Sequence, residues 1–173
     1  HANAAVEGGY ILVLSDKVVA IGSSQRTQPW AIEQLAKELL SQRTGCEKVL
    51  AIDIPKNRAF MHLDTVFTMV DFDKFTIHPE IEGPLQIYEI TLDRSGETHF
   101  SSVQDQLASI LKTELGLPAV ELIRCGGDDP QAAQREPWND GSNTLAIAPG
   151  VVGTYERHYG TNELLDRQGI TDV

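Results

Sequence analysis

Two cysteines, Cys46 and Cys125, are all that the 173 residues contain. So few, at no recognised ligand spacing, exclude a disulfide framework and a zinc module, and an intracellular, reducing compartment is the default expectation. Long apolar runs are lacking too: no stretch reaches the about 18 residues that a membrane-spanning helix needs, so no membrane partner is expected. Basic residues are scarce, 14 against 25 acidic ones, for a formal charge of −11. A nucleic-acid partner needs clustered Lys and Arg for its phosphates, and this balance argues against one. A cationic ligand is compatible with it. No basic, Ser-rich or small-residue segment opens the chain as a targeting signal would, and "HANAAVEGGY" reads as an entrance into the middle of a fold. What is there is 41% apolar and 23% charged, the balance of a soluble globular protein, in a length suited to one domain with a real core.

The apolar pattern recurs in three units. In the first, Ile11 to Leu14 and Val18 to Ile21 read as a hairpin about Ser15-Asp16-Lys17. Thr27 is the expected cap of a helix with Pro29 in its first turn and Ile32, Leu35, Ala36, Leu39 and Leu40 on one face. Gly45 ends the turn beyond it, and Lys48 to Ile54 reads as a buried strand. The second unit has strands at Thr65 to Val70 and Phe75 to Ile77 around the turn Asp71-Phe72-Asp73-Lys74, then an extra strand from Leu85 to Leu92. Ser102 is its expected cap, before a helix carrying Val103, Leu107, Ile110, Leu111 and Leu115; Gly116 stops it and Val120 to Arg124 closes the unit. The third has Thr144 to Ala148, a Pro149-Gly150 turn, Val151 to Tyr155, and a helix capped by Thr161 that runs to Gly169, with the chain ending at Val173 inside the closing strand. The expected fold is thus α/β, of about three strand-strand-helix-strand units over 7–56, 62–127 and 139–173 within one domain spanning 1–173.

The units register. A shift of 55 residues lays Glu7 on His62, Gly9 on Asp64 and Asp16 on Asp71; a shift of 134 lays Gly9 on Asn143, Asp16 on Gly150 and Thr27 on Thr161. Repeats that cannot bury their faces alone pack side by side, and around a common axis the lead-ins to their first strands converge. Glu7, His62, Asp64 and Asn143 all fall at such lead-ins. His62 and Asp64, two apart, would project to the same side of an extended chain. Two carboxylates and an imidazole can hold a planar guanidinium and move a proton. Gly8 and Gly9 let the backbone approach a ligand, and Arg26 could fork a ligand carboxylate. Plainer readings stand beside these: Glu7 as a turn residue, His62 and Asp64 as a structural pair, Arg26 as a solvated cation. A mononuclear metal on Glu7, His62 and Asp64 is chemically possible as well. Cys125, flanked by glycines in "RCGGDD", reads as a buried inert thiol, and His78, His99 and His158 as structural or exposed.

Three blocks then stand out together: "VEGGYILVLSDKVVAIGSSQRT", "FMHLDTVFTMVDFDKFTIHPEI" and "IRCGGDDPQAAQREPWNDGSNTLAIAPGVVGTYERHYGTNELL". They resemble the arginine deiminase family, in order and over nearly the whole chain. The resemblance implies an α/β-propeller of strand-strand-helix-strand blades, of which this chain would be a partial one. It implies hydrolysis of L-arginine to L-citrulline and ammonia in the cytoplasm, with no metal or organic cofactor, through a covalent intermediate on a cysteine, in a possible homo-oligomer. By motif, Glu7 of "EGG" and Asp64 of "HLD" would bind the guanidinium nitrogens, His62 would be general acid and base, and Arg26 of "QRT" would hold the substrate carboxylate. The nucleophilic cysteine block, and an upstream block with another guanidinium-binding aspartate, are expected outside residues 1–173. The alternative is a non-catalytic piece that binds arginine weakly or serves an assembly. One departure falls inside the chain: Tyr10 stands where the family has aspartate, and with a phenol in place of an anion weaker arginine recognition is expected.

Overall fold

The computed structural model describes residues 6–24, 27–42, 44–56, 60, 62–127 and 142–173. The chain packs as two units, His1–Leu63 with Pro84–Gln106, and Asp64–Gly83 with Leu107–Val173.

In the first unit, the apolar run Val18–Ser23 needs cover on both faces and obtains it as an inner strand. It is β2 of a five-stranded sheet ordered β1 (Ile11–Val13), β2, β3 (Lys48–Asp53), β6 (Pro84–Leu92), β7 (Thr98–Gln106). β1 and β2 form an antiparallel hairpin, α1 (Pro29–Ser41) follows, and β3 returns parallel to β2 with Val49 beside Val19. Helix α1 lays Ile32 and Ala36 on Val19, Ile21, Val49, Ala51 and Ile90, with Leu35, Leu39 and Leu40 at the margin. Each large aliphatic side chain buried there contributes about 1.5–3 kcal/mol.

Two expectations need correction in this unit. The cap of α1 is Gln28, whose carbonyl accepts from Ala31 and Ile32 at 2.9 and 3.2 Å, while Thr27 is buried just ahead of it. Pro29 explains this. It has no N–H to offer a cap hydroxyl at Thr27, whereas the first helical position suits proline. Residues around Ser102 are strand rather than helix: β7 pairs antiparallel with β6 from Pro84↔Gln106 to Leu92↔Thr98. Nine residues of pairing along a neighbouring strand outweighed a local cap pattern, in a segment with only Thr98, Phe100 and Val103 as strong strand formers. Asp93 closes this hairpin, its Oδ1 accepting from the Ser95 hydroxyl (2.6 Å) and from the N–H groups of Glu97 (3.0 Å) and Ser95 (2.8 Å). The Ser95 hydroxyl, with the Glu97 N–H, holds the Asp93 carboxyl below its ordinary range.

The second unit contains two three-stranded sheets. One joins the hairpin β4 (Phe67–Met69) and β5 (Lys74–Ile77) to β8 (Glu121–Arg124), which follows α2 (Leu107–Leu115) and runs parallel to β5. The other joins the hairpin β9 (Leu145–Ala148) and β10 (Val151–Gly153) to β11 (Thr171–Asp172), which follows α3 (Tyr159–Arg167) and runs parallel to β10. Their shared core is Val70, Ile123, Val152, Leu165 and Ile170. One connectivity thus occurs in each sheet: a hairpin, a helix, then a strand parallel to the hairpin's second strand.

Here too local readings are corrected. Residues 62–66 are bend and turn, and β4 begins at Phe67, so same-side projection in extended chain does not describe His62 and Asp64. Helix α3 is capped from His158, and Thr161 lies inside it. The Thr161 hydroxyl is buried and accepts the Gly126 N–H at 2.9 Å, so a tertiary partner claims the oxygen that a helix terminus would have used.

Candidate active site

The sequence Glu7-Gly-Gly-Tyr folds as a 3-10 turn over Gly8–Tyr10, with the Tyr10 N–H donating to the Glu7 carbonyl at 3.0 Å. This turns Tyr10 inward. Its side chain is 1% exposed, and its hydroxyl accepts from Ser24 Oγ at 2.8 Å. Under it, β2 supplies Gly22. A Cβ at that position would lie 3.1 Å from the Leu63 Cβ and 3.2 Å from the Tyr10 ring, tighter than side chains ordinarily pack, so glycine is what lets both sit on the sheet. Leu63 is fully buried and pins the chain beside it. His62 is thereby held against Tyr10, ring centroids 5.2 Å apart and nearly perpendicular at 89°.

The result is a contact between residues 55 apart in sequence: His62 Nε2 lies 2.6 Å from Glu7 Oε2. A carboxylate at one ring nitrogen selects the tautomer with the proton on Nε2 and gives Nδ1 the lone pair. The side chains are 55% (Glu7) and 32% (His62) exposed, so their pairing contributes no more than about 1 kcal/mol to folding. Stability is a weak reason for such an arrangement; access to solvent and proton chemistry are stronger ones.

The other expected site residues are distributed as follows. Gly8 is exposed in the turn after Glu7, and a Cβ there would meet nothing within 4 Å. Asp64 belongs to the second unit, is half-buried, and accepts from Thr68 Oγ1 through its carbonyl at 3.1 Å. Arg26 lies outside the described residues. Tyr10 is a buried phenol bonded to Ser24 and forms a wall behind His62. A feature missed in the sequence is Ser142. It is fully buried just ahead of β9, its hydroxyl donates to the Thr65 carbonyl, and its own carbonyl accepts from Thr76 Oγ1 at 2.9 Å. Nothing in "GSN" distinguishes it from loop polarity.

Neither cysteine has the setting of a nucleophile. Cys125 is fully buried at the end of β8, its N–H bonded to the Ile77 carbonyl at 3.0 Å. Burial pushes the Cys46 thiol up in pKa, against thiolate formation. His78 and His158 are buried and His99 is exposed on β7. Among the described residues, no group of three His, Cys, Asp or Glu side chains is placed to hold a metal ion, and no helix is long and apolar enough to cross a membrane.

These features define a mixed α/β protein of several small sheets, with a carboxylate–imidazole pair exposed at the lead-in to two hairpins. Its relatives fit. The sequence model of the family described as "Arginine deiminase" matches residues 1–173. Arginine deiminases of Streptococcus pyogenes serotype M49 (strain NZ131) and serotype M1 are each 55% identical over 165 residues, 95% of this chain and 40% of theirs. The chain belongs to the arginine deiminase family. It spans 40% of the length of these curated relatives.

Proposed function

We propose that the protein carrying this chain hydrolyses L-arginine to L-citrulline and ammonia. The observation that carries the reading is the Glu7–His62 contact, found in a chain of this family at 2.6 Å. In this reading Glu7 and Asp64 bind the guanidinium nitrogens through charge-assisted hydrogen bonds, and Gly8 leaves room for the substrate's approach. Arg26 forks the substrate carboxylate. Guanidinium carbon is a poor electrophile because resonance spreads its charge, so a thiolate must attack it and ammonia must leave with a proton. His62 moves that proton, then activates the water that releases citrulline. A guanidinium seated on Glu7 competes with the imidazole for the same oxygens, which couples substrate arrival to release of His62. The nucleophilic cysteine belongs to protein outside residues 1–173, since Cys46 and Cys125 are unsuited. The reaction uses no metal or organic cofactor.

The three hairpin–helix–strand sets are read as blades of a partial α/β-propeller forming one catalytic domain, with units over 7–56, 62–127 and 139–173. Support comes from lead-ins that meet in chain order: Glu7 with His62, and Thr65 with Ser142. A cytoplasmic enzyme suits the two free cysteines.

The test is citrulline and ammonia formation from L-arginine by the purified intact protein. Glu7→Gln and His62→Asn should each lower kcat/KM at least about 100-fold. Each should move Tm by less than about 4 °C, because the pair is exposed. Intact protein that makes no citrulline refutes the activity. Residues 1–173 alone should make negligible citrulline; activity there that Cys125→Ala abolishes would make Cys125 the nucleophile.

A further inference from the structure

Residues 62–66 form no strand, so their carbonyls have no ladder to join, and buried carbonyls must find partners elsewhere. Three in a row do so, each from a different donor. The Asp64 carbonyl accepts from Thr68 Oγ1 at 3.1 Å, and the Thr65 carbonyl from the Ser142 hydroxyl. The Val66 carbonyl accepts from the His78 N–H at 2.7 Å. The donors stand on β4, on the lead-in to β9 and directly after β5, all within the second unit.

Ser142 is itself held in place. Its carbonyl accepts from Thr76 Oγ1 at 2.9 Å, and the same hydroxyl lies 3.4 Å from the Thr68 carbonyl. Ser142 and Thr76 are 0% exposed, and Thr68 and Thr65 are 6% and 7% exposed. Apolar side chains would bury such a turn without fixing its direction; satisfied buried hydroxyl bonds fix one geometry. Aspartate has only two side-chain torsions, so the place of its carboxylate follows its backbone closely.

We propose that Thr68 and Ser142 are positioning residues: their hydroxyls fix the backbone that carries Asp64 and thereby aim its carboxylate at the substrate guanidinium. The inference rests on the reading of Asp64 as a guanidinium ligand, and the two hydroxyls act through that residue. Misaiming weakens a charge-assisted contact to a cation more than contact with a neutral ureido group, so arginine and citrulline should respond differently.

The test follows the intact protein with L-arginine as substrate and L-citrulline as competing product. Asp64→Asn sets the scale and should raise KM about 10- to 150-fold. Ser142→Ala and Thr68→Val should each raise KM roughly 5- to 20-fold, with kcat and the L-citrulline inhibition constant changed less than about threefold. Thr68→Ser, which keeps the hydroxyl, should return KM to within about threefold of the parent. Thr161→Val, which removes a buried hydroxyl of the same unit outside this network, should lower Tm comparably and leave KM unchanged. In the Asp64→Asn protein, adding Ser142→Ala should raise KM by less than about twofold, since nothing is left to aim.

A raised KM in Asp64→Asn with an unchanged KM in both Ser142→Ala and Thr68→Val overturns the proposal and spares the reading of Asp64. Equal weakening of arginine and citrulline, no recovery in Thr68→Ser, or full additivity in the double variant overturns it as well. An intact protein that makes no citrulline, or an unchanged KM in Asp64→Asn, fells the reading of Asp64 and the proposal with it.

Discussion

Replacing Thr161 with valine removes one oxygen and keeps the volume. That oxygen is the acceptor for the Gly126 N–H at 2.9 Å in a buried setting. Gly126 and Gly127 follow β8 with φ of +81° and +62°, a left-handed turn that L side chains rarely adopt. Thr161 is fully buried at the start of α3, so water cannot replace its hydroxyl without a rearrangement. Leaving a buried N–H without its acceptor costs about 1–3 kcal/mol. Thr161→Ser is the counterpart: it keeps the oxygen and deletes a buried methyl, at about 1 kcal/mol. The two variants therefore have similar global costs and opposite local signatures. Hydrogen exchange of the Gly126 amide separates them, because protection should be lost in Thr161→Val and kept in Thr161→Ser. Valine with Gly126 still protected, or serine with it exposed, refutes the view that this hydroxyl holds the turn.

Burial pushes the His78 imidazole below its ordinary 6.5, so the unfolded chain takes up a proton more readily than the folded one. Stability should be full above about 6.5 and decline as pH falls from there toward the folded value; His78→Asn, which keeps an acceptor for the Glu80 N–H, should flatten that slope in urea midpoints measured from pH 7.5 to 5.5. Tyr10→Asp should lower Tm on the order of 10 °C by burying a carboxylate, where Tyr10→Phe should cost only about 1 kcal/mol. A normally stable Tyr10→Asp protein with a lower KM for arginine would instead place position 10 in substrate recognition. Gly22→Ala should cost about 1–3 kcal/mol and lower kcat/KM by moving Leu63 and Tyr10, and so His62; unchanged kinetics would show that His62 is positioned otherwise.

Periodicity made most elements legible because it reports burial directly. The stripe of Ile32, Leu35, Ala36, Leu39 and Leu40 does pack on the sheet, and the hairpin about Asp71–Lys74 formed where turn residues stood. Hydroxyl residues misled because a threonine reads the same whether its oxygen serves a helix end or a distant amide. Thr161 has the second partner, 35 residues away, and no local pattern encodes it. Ser102 failed for a related reason: its neighbours across the ladder, around Tyr88, lie outside any window used to judge a helix start. The register argument reached Glu7 and His62 because strand lead-ins are fixed by topology. Ser142, one residue ahead of the position it marked at Asn143, carried no signal of its own.

The order β3-β6 in the first sheet has a consequence for synthesis. β3 ends at Asp53, but its outer neighbour is complete only at Leu92, after β4 and β5 have been made for the other unit. At about 5–20 residues per second, that interval is roughly 2–8 s on the ribosome. Throughout it, the apolar strand Lys48–Asp53 has β2 on one side and an open ladder on the other, the condition in which nascent chains pair with each other. Slowing translation between residues 54 and 92 should therefore lower soluble yield, while slowing it after residue 106 should not.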